Sequence, residues 1–194
     1  MSRAGFVLVG GNSSRMGTNK AFLRIGERSL LDCAARVVCQ AAGSVALVGD
    51  PAIYGNLGYA VAPDTMPGLG PLAGIHAALQ YSHLQRAADW NLVTACDMPA
   101  LSSELLESML DLAETEGDIS WDCVIPEGPT GRLEPLCAVY HRRCLDRIER
   151  ALATGVRKVT EGVAGLRVLP RRFADDRAFQ NLNTPLQWDR FVNG

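Results

Sequence analysis

A glycine-rich segment near the amino terminus has the residue types of an anion-binding loop. Residues 8–20 read LVGGNSSRMGTNK and begin in a short apolar run. Gly10 and Gly11 let the backbone approach a ligand closely, and successive backbone amides can form a concavity that binds an anion. Arg15 and Lys20 add positive charge where a triphosphate would lie. The glycine spacing fits neither the dinucleotide-binding fingerprint nor the Walker loop, so an ordinary turn with two solvated cations is the structural alternative.

Two aspartates follow apolar runs, where a carboxylate is well placed for chemistry. Asp97 follows residues 91–95, and a carboxylate at the end of a buried strand is costly unless it is paired or binds a cation. Asp97 is therefore a candidate magnesium ligand beside triphosphate oxygens, with a helix cap or a salt bridge as the alternative. Asp64 precedes the glycine- and proline-rich residues 67–75 and is a candidate for holding a nucleoside or a metal-bound water. A local cap of the turn is the alternative role of Asp64.

Two segments near the carboxyl terminus combine polar side chains with proline. Residues 132–141 read RLEPLCAVYH, and residues 179–185 read FQNLNTP. Thr184 before Pro185 is typical of a helix start in which the threonine caps the first turn. Capping alone is the structural alternative to a ligand-binding role for this segment.

The order of apolar and amphipathic segments predicts an α/β fold. Short apolar, β-branched runs predict strands at residues 5–9, 44–48, 59–62, 91–95, 123–125, 136–140 and 166–169. Longer amphipathic stretches predict helices at residues 30–42, 72–81, 103–115, 142–153 and 186–192. This alternation is typical of βαβ units in a mostly parallel sheet that helices cover on both faces. Ligands bind such sheets outside the carboxyl ends of the strands, where the loop and both aspartates fall.

Length and composition limit the class of protein. The 194 residues fit one domain, so we expect residues 1–194 to form a single unit. Hydrophobic residues make up 47% and charged residues 21%, as in soluble globular proteins. A net charge of -2 gives no basis for sequence-independent nucleic-acid binding. The apolar runs are too short for a signal peptide or a membrane span, and six scattered cysteines without a Cys-x-x-Cys pair indicate reduced thiols in a cytoplasmic protein.

Four motifs in this order resemble those of the nucleotidyltransferases with a Rossmann-like domain, and most closely those of the molybdenum cofactor guanylyltransferases. In that family the loop usually reads Leu-Ala-Gly-Gly followed by Arg-Met-Gly and Lys, and here Val9 replaces the alanine. An aspartate followed by Gly-Pro-Leu-Ala-Gly matches Asp64 and residues 70–74, and an Asp-x-Pro motif matches Asp97. The carboxyl-terminal segments are similar to the family's Pro-Leu-x-Ala-Val-Tyr and Asn-x-Asn-Thr-Pro motifs. The resemblance therefore runs over residues 8–185.

This resemblance implies a fold, a reaction and a set of ligands. The fold would be a three-layer α/β Rossmann-like nucleotidyltransferase fold. The reaction would transfer GMP from GTP to the terminal phosphate of molybdopterin, giving the guanine dinucleotide form of the molybdenum cofactor and pyrophosphate. Mg²⁺ is the implied cofactor, and proteins that insert or receive the molybdenum cofactor are implied partners beside GTP and molybdopterin. Because the acceptor phosphate attacks, the reaction needs no nucleophile or general base from the protein.

The resemblance also implies roles for the residues that match the family's motifs. Catalysis at the reacting phosphates would fall to Arg15, Lys20 and Asp97. Asp97 would hold magnesium, with Asp64 joining through a water molecule. The nucleotide would be bound by Leu8, Val9, Gly10, Gly11, Lys20, Asp64 and Asp97. Asn181 and Asn183 would lie on the side that receives the pterin.

One position departs from the family pattern and bears on recognition of the base. Members often place an asparagine after the second strand, but this chain has Gly49 followed by Asp50. The contact would then come from Asp50 or from the backbone, or recognition of the base would be weaker. The pair Gly10-Gly11 favours GTP over CTP, because cytidylyl relatives usually have Ala-Gly and a second glycine leaves room for a purine.

Three alternatives stay open at the level of sequence. They are a cytidylyltransferase that acts on the molybdenum cofactor with CTP, a sugar-phosphate or isoprenoid nucleotidyltransferase, and an inactive nucleotide-binding module. A sugar-phosphate or isoprenoid enzyme would not need the Asn-x-Asn-Thr-Pro end. An inactive module would have lost a phosphate-binding cation or the metal carboxylate, whereas this chain has both.

Overall fold

A mostly parallel β-sheet forms the middle layer of the protein. The computed structural model describes residues 2–10, 19–116 and 120–193, so the predicted site residues Gly11 and Arg15 lie outside the described residues. The strands of the described chain are β1 (Arg3–Leu8), β2 (Arg24–Ile25), β3 (Arg28–Ser29), β4 (Ala46–Gly49), β5 (Ala60–Pro63), β6 (Trp90–Ala95), β7 (Cys123–Glu127), β8 (Cys137–His141) and β9 (Val168–Arg172). The sheet has the order β5-β4-β1-β6-β8-β7-β9, and within it β8 runs antiparallel to both neighbours. Strands β2 and β3 form a separate small hairpin.

Helices cover both faces of this sheet, as the sequence predicts. Those of the described chain are α1 (Leu30–Ala42), α2 (Pro51–Tyr54), α3 (Pro71–Gln85), α4 (Ser103–Glu116), α5 (Leu145–Ala153), α6 (Val159–Val163) and α7 (Pro185–Asn193). Helices α1 and α4 share one apolar core with Val7 of β1, whereas α3, α5 and α6 share a second core with Phe6. The arrangement has three layers. None of the described helices is long and apolar enough to span a bilayer.

The central strand β1 is apolar after Arg3 because both of its faces are buried. Phe6 and Leu8 belong to one core and Val7 and Val9 to the other, and all four side chains are buried. Such continuous burial is expected of a parallel strand covered on both faces. Helix α3 approaches this strand closely at Gly74, where a Cβ would lie 3.2 Å from Cδ2 of Leu8. The second glycine of the Gly-Pro-Leu-Ala-Gly motif therefore allows tight packing of helix on strand.

The predicted elements are present, and the structure adds several short ones. Every predicted strand and helix overlaps an observed one, with ends that shift by a few residues. The helix predicted at residues 142–153 begins as the 3-10 turn Arg142–Cys144, which α5 follows. The sequence did not predict the hairpin β2–β3 or the helices α2 and α6. Each strand of the hairpin has two residues, α2 has four and α6 has five. Elements of this length are too short to show a hydrophobic period.

The carboxyl ends of β1, β4, β5 and β6 meet at one edge of the sheet, which we call the carboxyl edge. Strand β8 brings its amino end to the same edge because it runs in the opposite direction. Cys137 lies opposite Thr94, and the N–H of Ala95 donates to the carbonyl of Leu136 at 2.8 Å. Residues 132–136 lie in the loop between β7 and β8, and both strand ends that this loop connects are at the carboxyl edge, because β7 pairs parallel with β9 and antiparallel with β8.

Candidate active site

Lys20, Asp97 and Asn183 meet at the carboxyl edge of the sheet. The Nζ atom of Lys20 donates a hydrogen bond to Oδ1 of Asn183 at 2.8 Å and lies 3.7 Å from Oδ2 of Asp97. The three residues come from three separate motifs: the end of the glycine-rich segment, the end of β6 and the start of α7. The structure thus brings together a cation, a carboxylate and an amide that the sequence predicted separately.

Local hydrogen bonds hold each member of this cluster in place. Asn19 caps the 3-10 turn Lys20–Phe22, since its Oδ1 accepts from the N–H of Ala21 at 3.1 Å. The N–H of Leu182 donates to the carbonyl of Asp97 at 2.9 Å. This bond ties the carboxyl-terminal segment to the residues that follow β6.

Helix α7 begins directly after Asn183 with a capping box. The N–H of Gln187 donates to Oγ1 of Thr184 at 3.2 Å, which confirms the predicted cap. In return, Oε1 of Gln187 accepts from the N–H groups of Thr184 at 3.0 Å and of Asn183 at 2.8 Å. These reciprocal bonds satisfy donors at the helix start and fix the backbone from which the Asn183 side chain reaches Lys20.

The surroundings of Asp97 compensate only part of the negative charge of its carboxylate. Burial raises the pKa of Asp97 above its usual value, and Lys20 offsets only part of that effect. The side chain keeps 19% of its surface exposed, so a ligand can reach it. Mg²⁺ binds hard oxygen donors and commonly takes one or two carboxylates from a protein and its other ligands from phosphate and water. The donor set at Asp97 therefore fits magnesium.

Tyr54 joins the two ends of the glycine-rich segment. Its hydroxyl donates to the carbonyl of Val9 at 2.7 Å and accepts a hydrogen bond from Nδ2 of Asn19 at 2.7 Å. The ring is buried and stacks on Phe22, with the two centroids 5.9 Å apart. Tyr54 therefore fixes the point where the segment leaves β1 and the point where it returns before Lys20.

Gly49 provides the space that the Tyr54 ring occupies. A Cβ at position 49 would lie 2.9 Å from that ring and 3.0 Å from Cγ2 of Val9, so a larger side chain would require the ring to move. The neighbouring Asp50 caps α2, because its Oδ1 accepts from the N–H of Ala52 at 2.8 Å. The departure from the family's asparagine thus coincides with a packed tyrosine, and Asp50 is engaged in a helix cap.

Asp64 lies at the carboxyl edge but away from Asp97. It follows β5, and strands β4 and β1 separate β5 from β6, which amounts to about 14 Å at the usual strand spacing. Its Oδ1 accepts from the N–H of Met66 at 3.0 Å, so it also caps the local turn. The predicted sharing of one magnesium ion through a water stays a prediction. The position suits a contact with another part of a nucleotide.

Two cavities at the carboxyl edge share lining residues around Glu134. The first, of about 570 Å³, includes both predicted pterin-side residues, Asn181 and Asn183, in its lining. The second, of about 650 Å³, lies against the start of α3 and the segment before α6. Arg132, Glu134 and Asn181 line both cavities. Together the two cavities provide room for a ligand larger than a phosphate group.

The structure places two residues in this site for which the sequence indicated no individual role, Tyr54 and Glu134. Tyr54 belongs to a four-residue helix, and nothing in the order of residues around it indicates that its hydroxyl reaches Val9 and Asn19. Glu134 lies within the segment 132–141 that the sequence singled out, but the matched motif begins after it, at Pro135. Its place in the loop between β7 and β8 is the signal that it lies at the carboxyl edge.

Known proteins are similar to this chain in sequence and in fold. The sequence profile of the family described as "MobA-like NTP transferase domain" matches residues 5–168. A protein of Pelotomaculum thermopropionicum named "Probable molybdenum cofactor guanylyltransferase" is 35% identical over 193 residues, which cover 95% of this chain and 89% of that protein. A Clostridium perfringens protein of the same name is 32% identical over 160 residues, which cover 82% of this chain and 76% of that protein. The crystal structure of molybdopterin-guanine dinucleotide biosynthesis protein A from Archaeoglobus fulgidus has a TM-score of 0.82 at 27% identity and covers 98% of this chain and 97% of its own.

Proposed function

We propose a function from one premise: this chain belongs to the MobA-like NTP transferase domain family. The predicted family and the predicted three-layer nucleotidyltransferase fold are thereby confirmed. The chain is a molybdenum cofactor guanylyltransferase, which transfers GMP from GTP to the terminal phosphate of molybdopterin and releases pyrophosphate. The names of the Pelotomaculum and Clostridium relatives support this reaction.

The observation that carries the proposal is the contact of Lys20 with both Asp97 and Asn183. The ends of the glycine-rich segment lie on one side of this cluster, and the cavity that contains Asn181 lies on the other. The cluster therefore stands between a site for the nucleotide and a site for the acceptor. This is the position that a group acting on both reacting phosphates must have.

On the nucleotide side, the triphosphate binds at the carboxyl edge beside residues 8–10. The Lys20 ammonium group neutralises charge on the phosphates and stays with the pyrophosphate as it leaves. We assign the same role to Arg15 from its place in the motif. Asp64, at the far end of this edge, contacts the nucleoside. Positioning and neutralisation of charge are the main contributions that the protein can make to phosphoryl chemistry.

Magnesium is the cofactor that we propose, with Asp97 as its protein ligand. When bound, it neutralises charge on the triphosphate and on the departing pyrophosphate. The chain's own contribution is to hold the Asp97 carboxylate in place through the bond between its carbonyl and the N–H of Leu182. Lys20, 3.7 Å from Oδ2, favours the ionised form that binds a cation.

On the acceptor side, the cavity lined by Asn181 and Asn183 receives the pterin. The acceptor is a phosphate monoester, which is largely ionised near neutral pH and attacks without a protein base. Because Asn183 bonds directly to Lys20, binding of the acceptor and neutralisation of the leaving group are coupled through one contact. The role of the protein is to bring the two phosphates into line.

A transfer assay with four nucleotides tests this proposal. The purified chain, magnesium and molybdopterin are incubated with GTP, CTP, UTP or ATP, and the dinucleotide product and pyrophosphate are both measured. We expect product with GTP. Product with CTP in place of GTP would establish the cytidylyl alternative, and turnover only with sugar phosphates or isoprenoid phosphates would establish the other enzyme class. No turnover with any acceptor, together with no nucleotide binding, would contradict an enzyme of this kind.

A methyl group at Gly10 should separate the purine from the pyrimidine nucleotide. Gly10 is not among the described glycines with positive φ, and among the described residues an added Cβ would meet only the carbonyl oxygen of Val48, at 4.0 Å. The described surroundings of Gly10 therefore accept an alanine, and the new methyl group occupies space beside the ligand. We expect the dissociation constant for GTP to rise about tenfold and that for CTP to rise much less.

Calorimetric titration of the parent and of Gly10→Ala with each nucleotide in the presence of magnesium measures this difference. The melting temperature of the nucleotide-free variant serves as the control and should match that of the parent. Equal losses of GTP and CTP affinity would remove the argument that the glycine pair selects guanine.

Deleting the Tyr54 hydroxyl should weaken nucleotide binding with little effect on turnover. Tyr54→Phe keeps the ring packed over Gly49 and removes the bonds to Val9 and Asn19. The two ends of the glycine-rich segment then lose a shared anchor. We expect KM for GTP to rise about 3- to 10-fold, in keeping with the loss of a buried hydrogen bond, while kcat stays close to that of the parent.

Tyr59→Phe is the matched control for this variant. The Tyr59 hydroxyl donates to Oδ1 of Asp32 at 3.1 Å, and Tyr59 precedes β5 at the opposite edge of the sheet. Its loss should leave KM for GTP unchanged. An equal rise of KM in both variants would show that the effect of Tyr54 is a general loss of stability and not the positioning of the segment.

The remaining assignments concern organisation and location. We propose that residues 1–194 form one nucleotidyltransferase domain, supported by the bond from Lys20 to Asn183, which lies beyond the matched residues 5–168. We propose a cytoplasmic location, supported by six cysteines that are free thiols. Proteins that insert or receive the finished cofactor are proposed as partners.

A further inference from the structure

Glu134 is a buried carboxylate at the junction of the two cavities. Only 8% of its surface is exposed. Among the described residues its carboxylate has one ion-pair partner, Arg132, whose Nε lies 3.0 Å from Oε1 and whose own side chain is 73% exposed. A carboxylate has about four acceptor positions, so most of its hydrogen-bonding capacity remains available to a ligand.

The charge of Glu134 is poorly compensated by the protein alone. Burial raises the pKa of this carboxyl, and Arg132 offsets only part of the effect. Strong N–H donors in the cavity would replace the water that burial has removed. The local electrostatics therefore favour a ligand that donates hydrogen bonds over one that carries another negative charge at this point.

Asn181 provides a second acceptor at the same junction. It lines both cavities, and its Oδ1 is buried with no hydrogen-bond partner among the described residues. A buried carbonyl oxygen without a partner is costly, and a ligand N–H would satisfy it. Glu134, with open acceptor positions, and Asn181, with an amide oxygen that has no partner in the described chain, line the same junction and together fit a ligand with several neighbouring N–H groups.

We propose that Glu134 recognises the 2-amino-4-oxo edge of the pterin ring in the acceptor. The carboxylate accepts two parallel hydrogen bonds, from the ring N3–H and from one N–H of the 2-amino group. Asn181 accepts the second N–H of that amino group. The inference rests on the proposed function, because the acceptor supplies the pterin. Paired N–H···O bonds to one carboxylate give geometric selectivity as well as affinity.

Guanine carries the same donor edge as pterin. Whether Glu134 contacts the pterin or the guanine therefore depends on its position relative to the acceptor and nucleotide sites. In the sheet order, β8 lies beside β6 on the side opposite to β1, β4 and β5. The ends of the glycine-rich segment and Asp64, which we assign to the nucleotide, lie on that opposite side. Glu134 lines the cavity that contains Asn181 and Asn183, which we assign to the acceptor. It also lines the second cavity, which extends to residues 68–71 after Asp64, so the measurement with GTP below distinguishes the two rings.

Two stable fluorescent probes test the proposal on the full chain at pH 7. The first is pterin, and the second is lumazine, which has a carbonyl oxygen in place of the 2-amino group. In lumazine this oxygen would face the carboxylate and repel it. We expect the parent to bind pterin at least about tenfold more tightly than lumazine, as measured by fluorescence titration. We expect Glu134→Gln to lose most of this preference, because glutamine presents one acceptor and one donor instead of two acceptors.

Glu127→Gln is the matched control. Glu127 pairs with Nε of Arg172 at 2.9 Å, its side chain is 20% exposed, and it lines neither of the two cavities. This variant loses the same kind of ion pair and should keep the preference for pterin. A preference that survives in Glu134→Gln, or a parent that does not distinguish pterin from lumazine, overturns the proposal.

A second measurement separates the pterin ring from guanine and this inference from the proposed function. The rise in melting temperature that GTP and magnesium produce should be equal in the parent and in Glu134→Gln. Its loss in the variant would assign Glu134 to guanine and overturn the proposal. Failure of the proposed function would appear as absence of GMP transfer by the parent, whatever the selectivity between pterin and lumazine.

Discussion

Asp97→Asn is expected to slow GMP transfer by at least about 100-fold while the fold becomes no less stable. The loss of activity follows from removing the carboxylate proposed to hold magnesium, since one electrostatic group at the reacting phosphates contributes about 100- to 1000-fold. The stability follows from burial, which raises the pKa of Asp97 despite the nearby Lys20. The folded state therefore disfavours the ionised form, and a neutral amide of the same shape relieves that penalty. Pyrophosphate release and the melting temperature measure the two effects on one sample.

Asp122→Asn is the matched control, and its expected result is the reverse. Asp122 precedes β7 at the opposite edge of the sheet, and its side chain, 13% exposed, pairs with Arg167 at 2.8 Å. Arg167 lowers the pKa of Asp122, so the ionised form stabilises the fold at neutral pH, and that stability is lost as the pH falls through the folded-state pKa. Asp122→Asn should therefore melt at a lower temperature and keep its activity. Full activity in Asp97→Asn would refute the metal-binding role.

Lys20→Met should lose activity by about 100-fold and also lower the stability of the protein. The methionine keeps most of the apolar stem but removes the charge that we assign to the phosphates of GTP. It also leaves Asp97, with only 19% of its side chain exposed, without the nearby cation. Loss of a partner from a buried carboxylate costs about 1–3 kcal/mol. Steady-state kinetics and chemical denaturation measure the two losses.

The double variant Lys20→Met with Asp97→Asn shows whether the two losses have separate causes. Stability should return toward that of the parent, because no uncompensated charge remains, whereas activity should stay low. Arg142→Met is the control: Arg142 is 61% exposed, pairs with Asp89 at 3.1 Å and follows β8 at the opposite edge. It should change neither quantity much. Recovery of activity in the double variant would mean that Lys20 serves only to neutralise Asp97.

The contrast between these variants has a common physical cause. Asp97 is mostly buried and Glu134 is buried, and burial raises the pKa of both carboxyls by more than the nearby cations lower it. A protein selected for stability alone would replace such groups with neutral or apolar side chains. Their surroundings are instead those expected where a bound cation or a donating ligand completes the site.

The local pattern of the sequence predicted the elements, since burial on both faces requires continuous apolar runs in strands and an apolar stripe on helices. β1 and β6 show this directly, because nearly every residue in each strand is buried. The same rule located Asp97, which follows a parallel strand and so lies at the carboxyl edge. Glu134 lies at the same edge, in the loop that leads from the carboxyl end of β7 to the amino end of β8. Its role did not follow from that rule, because whether a loop residue faces a cavity depends on the neighbouring elements and not on its own stretch of sequence.

By itself, the sequence determined the fold class and the family and led to the residues proposed for the nucleotide side, because motifs and hydrophobic periods are local properties. Only the tertiary structure decided which of these residues meet. The contact of Lys20 with Asp97 and Asn183, the bridge from Tyr54 to Val9 and Asn19, and the junction of two cavities at Glu134 join positions that are far apart in the chain. Strand order and packing bring such positions within hydrogen-bonding distance, and no short stretch of sequence encodes that distance.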